Sequence, residues 1–95
     1  MIGQFCIIRS RDDGVACGVV SACTGSTVEL EGSRRIHRWN KANTLHELSQ
    51  HGCSEEFTRI SEVMTTPHYV FGVCGVYVCT LKARANLERS RWAKE

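Results

Sequence analysis

Arg34-Arg35-Ile36-His37-Arg38-Trp39-Asn40-Lys41-Ala42-Asn43-Thr44-Leu45-His46-Glu47-Leu48-Ser49-Gln50-His51-Gly52 changes its period part-way along. Before Asn40 the residues read as a strand that carries cations and one tryptophan. From Asn43 they read as a short helix. Thr44 and Glu47 stand in capping-box spacing, and Gly52 follows the last turn. An arginine-rich strand therefore abuts the start of a helix. Both attract anions, the strand by charge and the helix by its unbonded amides and dipole.

Working outward towards the N-terminus, the chain is a series of short strands separated by glycine turns. Phe5–Arg9 is a run of β-formers, and Asp12-Asp13-Gly14 is a hairpin turn. Val15–Cys23 has Val15, Cys17, Val19, Ser21 and Cys23 on one face and Ala16, Gly18, Val20 and Ala22 on the other. Neither face is strongly polar, so both should be covered, one of them by another subunit. Thr24-Gly25 turns the chain into Ser26–Leu30, with Val28 and Leu30 inward. Glu31-Gly32 is read as a third turn, leading into Arg34–Trp39.

Towards the C-terminus, Leu45–His51 is a helix of about two turns anchored by Leu45 and Leu48. Cys53–Phe57 reads as a polar loop and Arg59–Met64 as a strand. Pro67 then interrupts the sheet, because it lacks the ladder donor. Tyr69–Cys79 is the longest strand expected, with Gly72 and Gly75 marking bulges. Thr80 is placed to cap a helix from Leu81 to about Ser90, with Leu81, Ala85 and Leu87 facing the sheet. After Arg91-Trp92 the last residues are expected to fray. The expected fold is α+β: one domain over residues 1–95, a small antiparallel β-meander of five to six strands with two short helices.

Ninety-five residues leave room for a single core, and so thin a core favours a homodimer or higher closed assembly. The formal charge of +2 excludes little. Its distribution says more: Arg34, Arg35, Arg38 and Lys41 form one cluster, and Lys82, Arg84, Arg89, Arg91 and Lys94 another. No run has the length of a membrane span, and Phe5–Ile8 is too short for a signal peptide. A cytoplasmic protein is expected, with its six cysteines reduced and most of them acting as small core hydrophobes.

Alternation along Arg34–Trp39 puts Arg34, Ile36 and Arg38 on one face and Arg35, His37 and Trp39 on the other. With Ile36 inward, Arg34 and Arg38 must escape to a rim or pair with acids. Arg35, His37 and Trp39 then form a cationic, aromatic outer face. Guanidinium groups match phosphate and an indole stacks on a base. The plainer alternative is a solvated strand whose arginines pair with Glu29 and Glu31 on the neighbouring strand. Asn43 and Thr44, at the start of the helix, offer donors for a second phosphate. Lys82 and Arg84 are placed to close the site from a partner subunit. The candidate ligand-binding set is thus Arg34, Arg35, Arg38, Trp39, Asn43, Thr44, Lys82 and Arg84.

Other chemistry has less behind it. Cys74 and Cys79 would fall on opposite faces of a strand, and no CxxC or His-x3-His pair occurs, so neither a metal site nor a cofactor is expected. His51 and Cys53 are close in sequence but lack the loop that a cysteine nucleophile needs. Phosphate loops of the glycine-rich kind are absent. These points argue against an enzyme.

The pattern Arg34-Arg35-Ile36, Trp39, Ala42, Thr44-Leu45 and Leu48 resembles a family of small phage-encoded proteins of uncharacterised function. Glu62-Val63, Cys79-Thr80-Leu81-Lys82-Ala83-Arg84 and Trp92 extend the likeness over most of the chain after Glu29. The family has aromatics where this chain has His37 and Arg38. The resemblance implies a phage origin and action in the host cell cytoplasm. By analogy with phage proteins of this size, it also implies an anti-defence role: binding and sequestering a cyclic oligonucleotide immune signal without hydrolysing it. The alternatives are a nucleic-acid-binding protein that uses the basic helix and a protein that inhibits a host enzyme.

Overall fold

Hydrophobic residues at nearly every position from Phe5 to Ile8 require cover on both sides, and the fold supplies it. In the computed structural model, residues 1–11, 13–40, 44–52 and 54–89 are described, with the backbone alone for 37–40 and 54–59. Strand β1 (Phe5–Ser10) pairs antiparallel with β2 (Gly14–Thr24), with Ile7 opposite Cys17 and Ile8 opposite Ala16. β2 pairs in turn with β3 (Thr27–Asn40), Cys17 lying opposite Arg34 and Ala16 opposite Arg35.

β3 is one strand of 14 residues, where two strands parted by a Glu31-Gly32 turn were expected. Gly32 takes φ +60, a left-handed conformation that glycine accepts without strain. The kink is absorbed because the far edge of β3 stays bonded beyond it. The Met64 amide donates to the Ser33 carbonyl at 2.8 Å, and the Ser61 amide to the Arg35 carbonyl at 2.9 Å.

That edge of β3 is shared. Helix α1 (Leu45–His51) follows β3, and β4 (Ser54–Ile60) then returns along it, with Ile36 opposite Ile60. A strand at Arg59–Met64 and a loop at Cys53–Phe57 were expected, so the observed strand lies several residues earlier. Charged positions hid it, since an edge strand needs only one apolar face. After Pro67 the short β5 (His68–Val70) takes the earlier part of the same edge, Val70 opposite Val28.

The expected Tyr69–Cys79 strand breaks at Phe71-Gly72 and changes partner there. β6 (Val73–Val78) pairs with β1, Val76 opposite Ile8 and Val78 opposite Cys6. The hydrogen-bonded order is therefore β4-β3-β2-β1-β6, with β5 also on β3. Two residues separate β5 on β3 from β6 on β1. The sheet must curl until its edges approach each other, as in a small barrel. Closure is reinforced where the Val73 amide donates to the Ser26 carbonyl at 2.9 Å.

Curling gives two cores. Inside the curl lie Cys6, Ile8, Ala16, Val20, Val28, Leu30 and Val70. On the other face Phe5, Ile7, Cys17, Ile36 and Ile60 meet Leu45 and Leu48 of α1 and Leu87 of helix α2 (Leu81–Arg89). Both faces of Val15–Val20 are thus covered by the chain's own residues, whereas Ala22 and Cys23, at the end of the Val15–Cys23 strand for which a second subunit had been expected over one face, are exposed.

Thr80 ties the helices together. Its amide donates to the Ser49 carbonyl at 2.9 Å and its hydroxyl to the Gln50 carbonyl at 2.7 Å. Its Oγ accepts the Ala83 amide at 3.1 Å, as the sequence led us to expect of a cap. This anchoring sets the rotation of α2. Ala83, Asn86 and Leu87 are buried, whereas Leu81 is 87 % exposed and Ala85 is exposed too. The expected face of Leu81, Ala85 and Leu87 is corrected to Ala83 and Leu87, four apart. Among the described residues, no helix is long and apolar enough to cross a membrane.

Candidate functional site

Arg34 and Arg35 leave β3 on opposite faces. Ile36 points into the helix-side core, and Arg34 shares its side. The sequence suggested that such an arginine would escape to a rim or find an acid; instead it is buried, at 6 % exposure. Its guanidinium donates through Nε to the Ser61 carbonyl at 2.8 Å. Through Nη1 it donates to the carbonyls of Leu87 at 2.8 Å and Glu88 at 3.2 Å. The last carbonyls of a helix carry its partial negative charge, and a buried cation finds its stabilisation there. Arg34 is thus already occupied in holding α2 to the sheet.

Beside it is a hollow of about 140 Å³, lined by Phe5, Val19, Glu31, Gly32, Arg34, Val63 and Glu88. Arg84 stands nearby, its Nε donating to Glu88 Oε1 at 2.9 Å and its guanidinium lying 5.3 Å from the Phe5 ring centre. Two carboxylates border this hollow and Arg34 is spent on carbonyls, so its charge is poorly suited to a phosphate.

Arg35 lies on the face away from the helices, with its side chain 45 % exposed. Nη2 meets both the backbone carbonyl and the carboxylate of Asp13, the latter at 3.3 Å. The partner is therefore in the β1–β2 turn and not Glu29 or Glu31, as the plainer reading of the strand had it. Asp13 is shared: its Oδ2 lies 2.6 Å from His68 Nε2, and His68 Nδ1 lies 2.8 Å from the Ser33 hydroxyl. With neutral His68, Nε2–H donates to the carboxylate and Nδ1 accepts the Ser33 proton. Three elements, the β1–β2 turn, β3 and β5, thus converge on one carboxylate.

Serine, histidine and aspartate in a hydrogen-bonded row are the members of a nucleophile relay. Ser33, however, is 1 % exposed, so a substrate carbon cannot reach its oxygen. The row acts as a structural tie that fastens β5 to β3 and the hairpin turn. Asp13, Ser33 and His68 were not among the residues singled out from the sequence. They are 20 and 35 positions apart along the chain, and only the strand register brings them together.

The remaining residues of the expected site are scattered. Thr44 caps α1, its Oγ accepting the Glu47 amide at 3.2 Å, as the capping-box spacing implied. Lys82 is exposed on the first turn of α2. Arg38 and Trp39 continue the backbone of β3, Arg38 opposite Arg59, but their side chains lie outside the described residues, as does Asn43. The suggested His51–Cys53 pair also falls there through Cys53, as do the last residues from Ser90 onward. Among the candidate side chains that are described, Arg34 and Arg84 both meet Glu88; Arg35 stands apart from them on the other face.

The described cysteines divide. Cys6 and Cys17 are buried core residues, Cys79 is half-buried, and Cys23 and Cys74 are exposed. Fewer of them are core residues than was expected. Burial, with Cys6 nearby, pushes the Cys79 thiol up to about 12 from 9.0, and burial raises Cys6 as well. Neither is a ready thiolate.

No curated protein and no solved structure matches this chain. A family model does match, over residues 3–87, nearly the whole of the folded unit described above; the chain belongs to the family of the domain of unknown function DUF6948.

Proposed function

We propose that the protein binds a phosphate-bearing ligand and holds it without turning it over. In the phage setting implied by the resemblance of Arg34-Arg35-Ile36 and its neighbours, that ligand is a cyclic oligonucleotide immune signal in the host cell cytoplasm. The observation that carries the reading is Arg35. It is half-exposed on the face opposite the helices, and its only described charged partner is the surface carboxylate of Asp13. A surface ion pair of this kind is worth about 1 kcal/mol or less, so a phosphate can displace it. Arg38 and Trp39 follow on the same strand, with Lys82 as a further exposed cation. Arg34 drops out of the ligand set, since its guanidinium is buried and already held by backbone carbonyls; Thr44 is engaged through its hydroxyl oxygen as the cap of α1, and Arg84 is paired with Glu88 at the surface.

Calorimetry with a panel of cyclic di- and trinucleotides tests the proposal. Binding below about 10 μM is expected, with the nucleotide recovered intact. Arg35→Ala should weaken it tenfold or more, the equivalent of roughly 1.5–3 kcal/mol for a charged hydrogen bond. If no nucleotide binds in that range, sequestration is abandoned. A second reading, inhibition of a host protein, draws support from Tyr69 and Phe71, large hydrophobic side chains at 55 % and 63 % exposure. General nucleic-acid binding is set apart by affinity that grows with length and falls steeply with salt.

A further inference from the structure

We propose that β6 is the seam of a homodimer, pairing antiparallel with β6 of a second copy across a two-fold axis. Independent of the nucleotide reading, this inference rests on how the sheet ends. β4 and β6 are the outer strands of the hydrogen-bonded order. β4 has the sequence Ser-Glu-Glu-Phe-Thr-Arg-Ile, and charges of that density discourage edge-to-edge association. β6 reads Val-Cys-Gly-Val-Tyr-Val, with no charge and no proline.

The geometry of β6 fits the same role. The Cys79 amide donates to the Phe5 carbonyl at 2.9 Å, so the ladder to β1 uses the odd-numbered residues at this end of the strand. In an antiparallel pair the intervening residues turn their backbone groups the other way. The amides and carbonyls of Val76 and Val78 therefore face the outer edge, where no strand pairs with them among the described residues. Their side chains are 37 % and 44 % exposed, and Cys74 is exposed on the same strand.

A second copy is the occupant that this edge fits. An uncharged strand offers nothing for a charged partner to complement, whereas a two-fold axis makes it its own complement. Pairing satisfies the outward backbone groups and covers Val76 and Val78 with their symmetry mates.

Sedimentation equilibrium of the whole chain, from micromolar to 100 μM, is expected to show a mass rising from one chain to two. Val76→Lys should hold it at one chain across that range with an unchanged circular dichroism spectrum. Phe71→Lys, at a more exposed apolar side chain off the seam, should leave the dimer intact. A second measurement needs no variant. The amides of Val76 and Val78 should exchange slowly at high concentration and quickly on dilution. A wild-type monomer at 100 μM, a dimer indifferent to Val76→Lys, or fast exchange at these two amides in a dimeric sample would each overturn the proposal.

Discussion

The guanidinium of Arg34 binds the carbonyls of Leu87 and Glu88 at 2.8 and 3.2 Å and that of Ser61 at 2.8 Å. Truncation leaves buried acceptors unsatisfied and frees the end of α2, so Arg34→Ala should cost roughly 3 kcal/mol. Arg35→Ala removes an exposed pair and should cost about 1 kcal/mol or less. Urea unfolding of the two variants checks the contrast; equal losses would contradict it. The sequence placed these arginines on opposite faces, because strand alternation is local. That Arg34 would serve a helix 53 residues away is a property of packing, which no local pattern encodes. The thiols give a second residue-scale outcome. Unfolded, Cys6 and Cys79 ionise as the pH passes 9.0; folded, burial keeps their protons on, Cys79 up to about 12. Above pH 9 the folded state binds more protons than the unfolded one. Stability should therefore be fully present below pH 9 and decline as the pH rises towards 12. Thermal melts between pH 8 and 11 measure this, and Cys79→Ala should make the decline shallower.

Helix α1 was readable because its signals are local: the Thr44 cap, Leu45 and Leu48 three apart, and Gly52 at its end. The end carries a further constraint. Gly52 has φ +78, and a Cβ built there would lie 2.6 Å from the side chain of Asn86 on α2. Strain and clash act together, so Gly52→Ala should destabilise the protein by about 2 kcal/mol or more, and the α1–α2 contact should loosen first. Hydrogen exchange that speeds up at Leu48 and Thr80 ahead of β1 is the expected sign; a variant as stable as the parent would refute it. β3 and β6 were harder to read. Gly32 reads as a turn in sequence and Gly72 as a bulge within one strand, yet β3 runs through the first and the sheet changes partner at the second. The difference lies in what bonds the neighbouring edge. Met64 and Ser61 secure β3 from outside, and both come from a segment far along the chain.

At the scale of the molecule, α+β was legible from the succession of short strands and two helices, and the curl was not. The lack of a polar face along Val15–Cys23 said that both faces would be covered. It did not say that the chain would cover both itself, by wrapping β5 and β6 to opposite edges of one three-stranded unit. The consequence is that β1 belongs to both cores. Ile7 packs with Leu48, Ile60 and Leu87 on the helix side, while Ile8 packs with Val20, Leu30 and Val70 inside the curl. Each is fully buried, so each truncation to alanine should cost about 2–5 kcal/mol. The two cores are joined through the backbones of β1, β2 and β3, each of which sends side chains into both, and neither can loosen while the other stays packed. Unfolding of Ile7→Ala and Ile8→Ala should each remain a single transition, with far-ultraviolet dichroism and tyrosine–tryptophan fluorescence coinciding. Separate midpoints in either variant would mean that the helices and the curled sheet fold as independent units. In that case the strands shared by the two cores would not couple them.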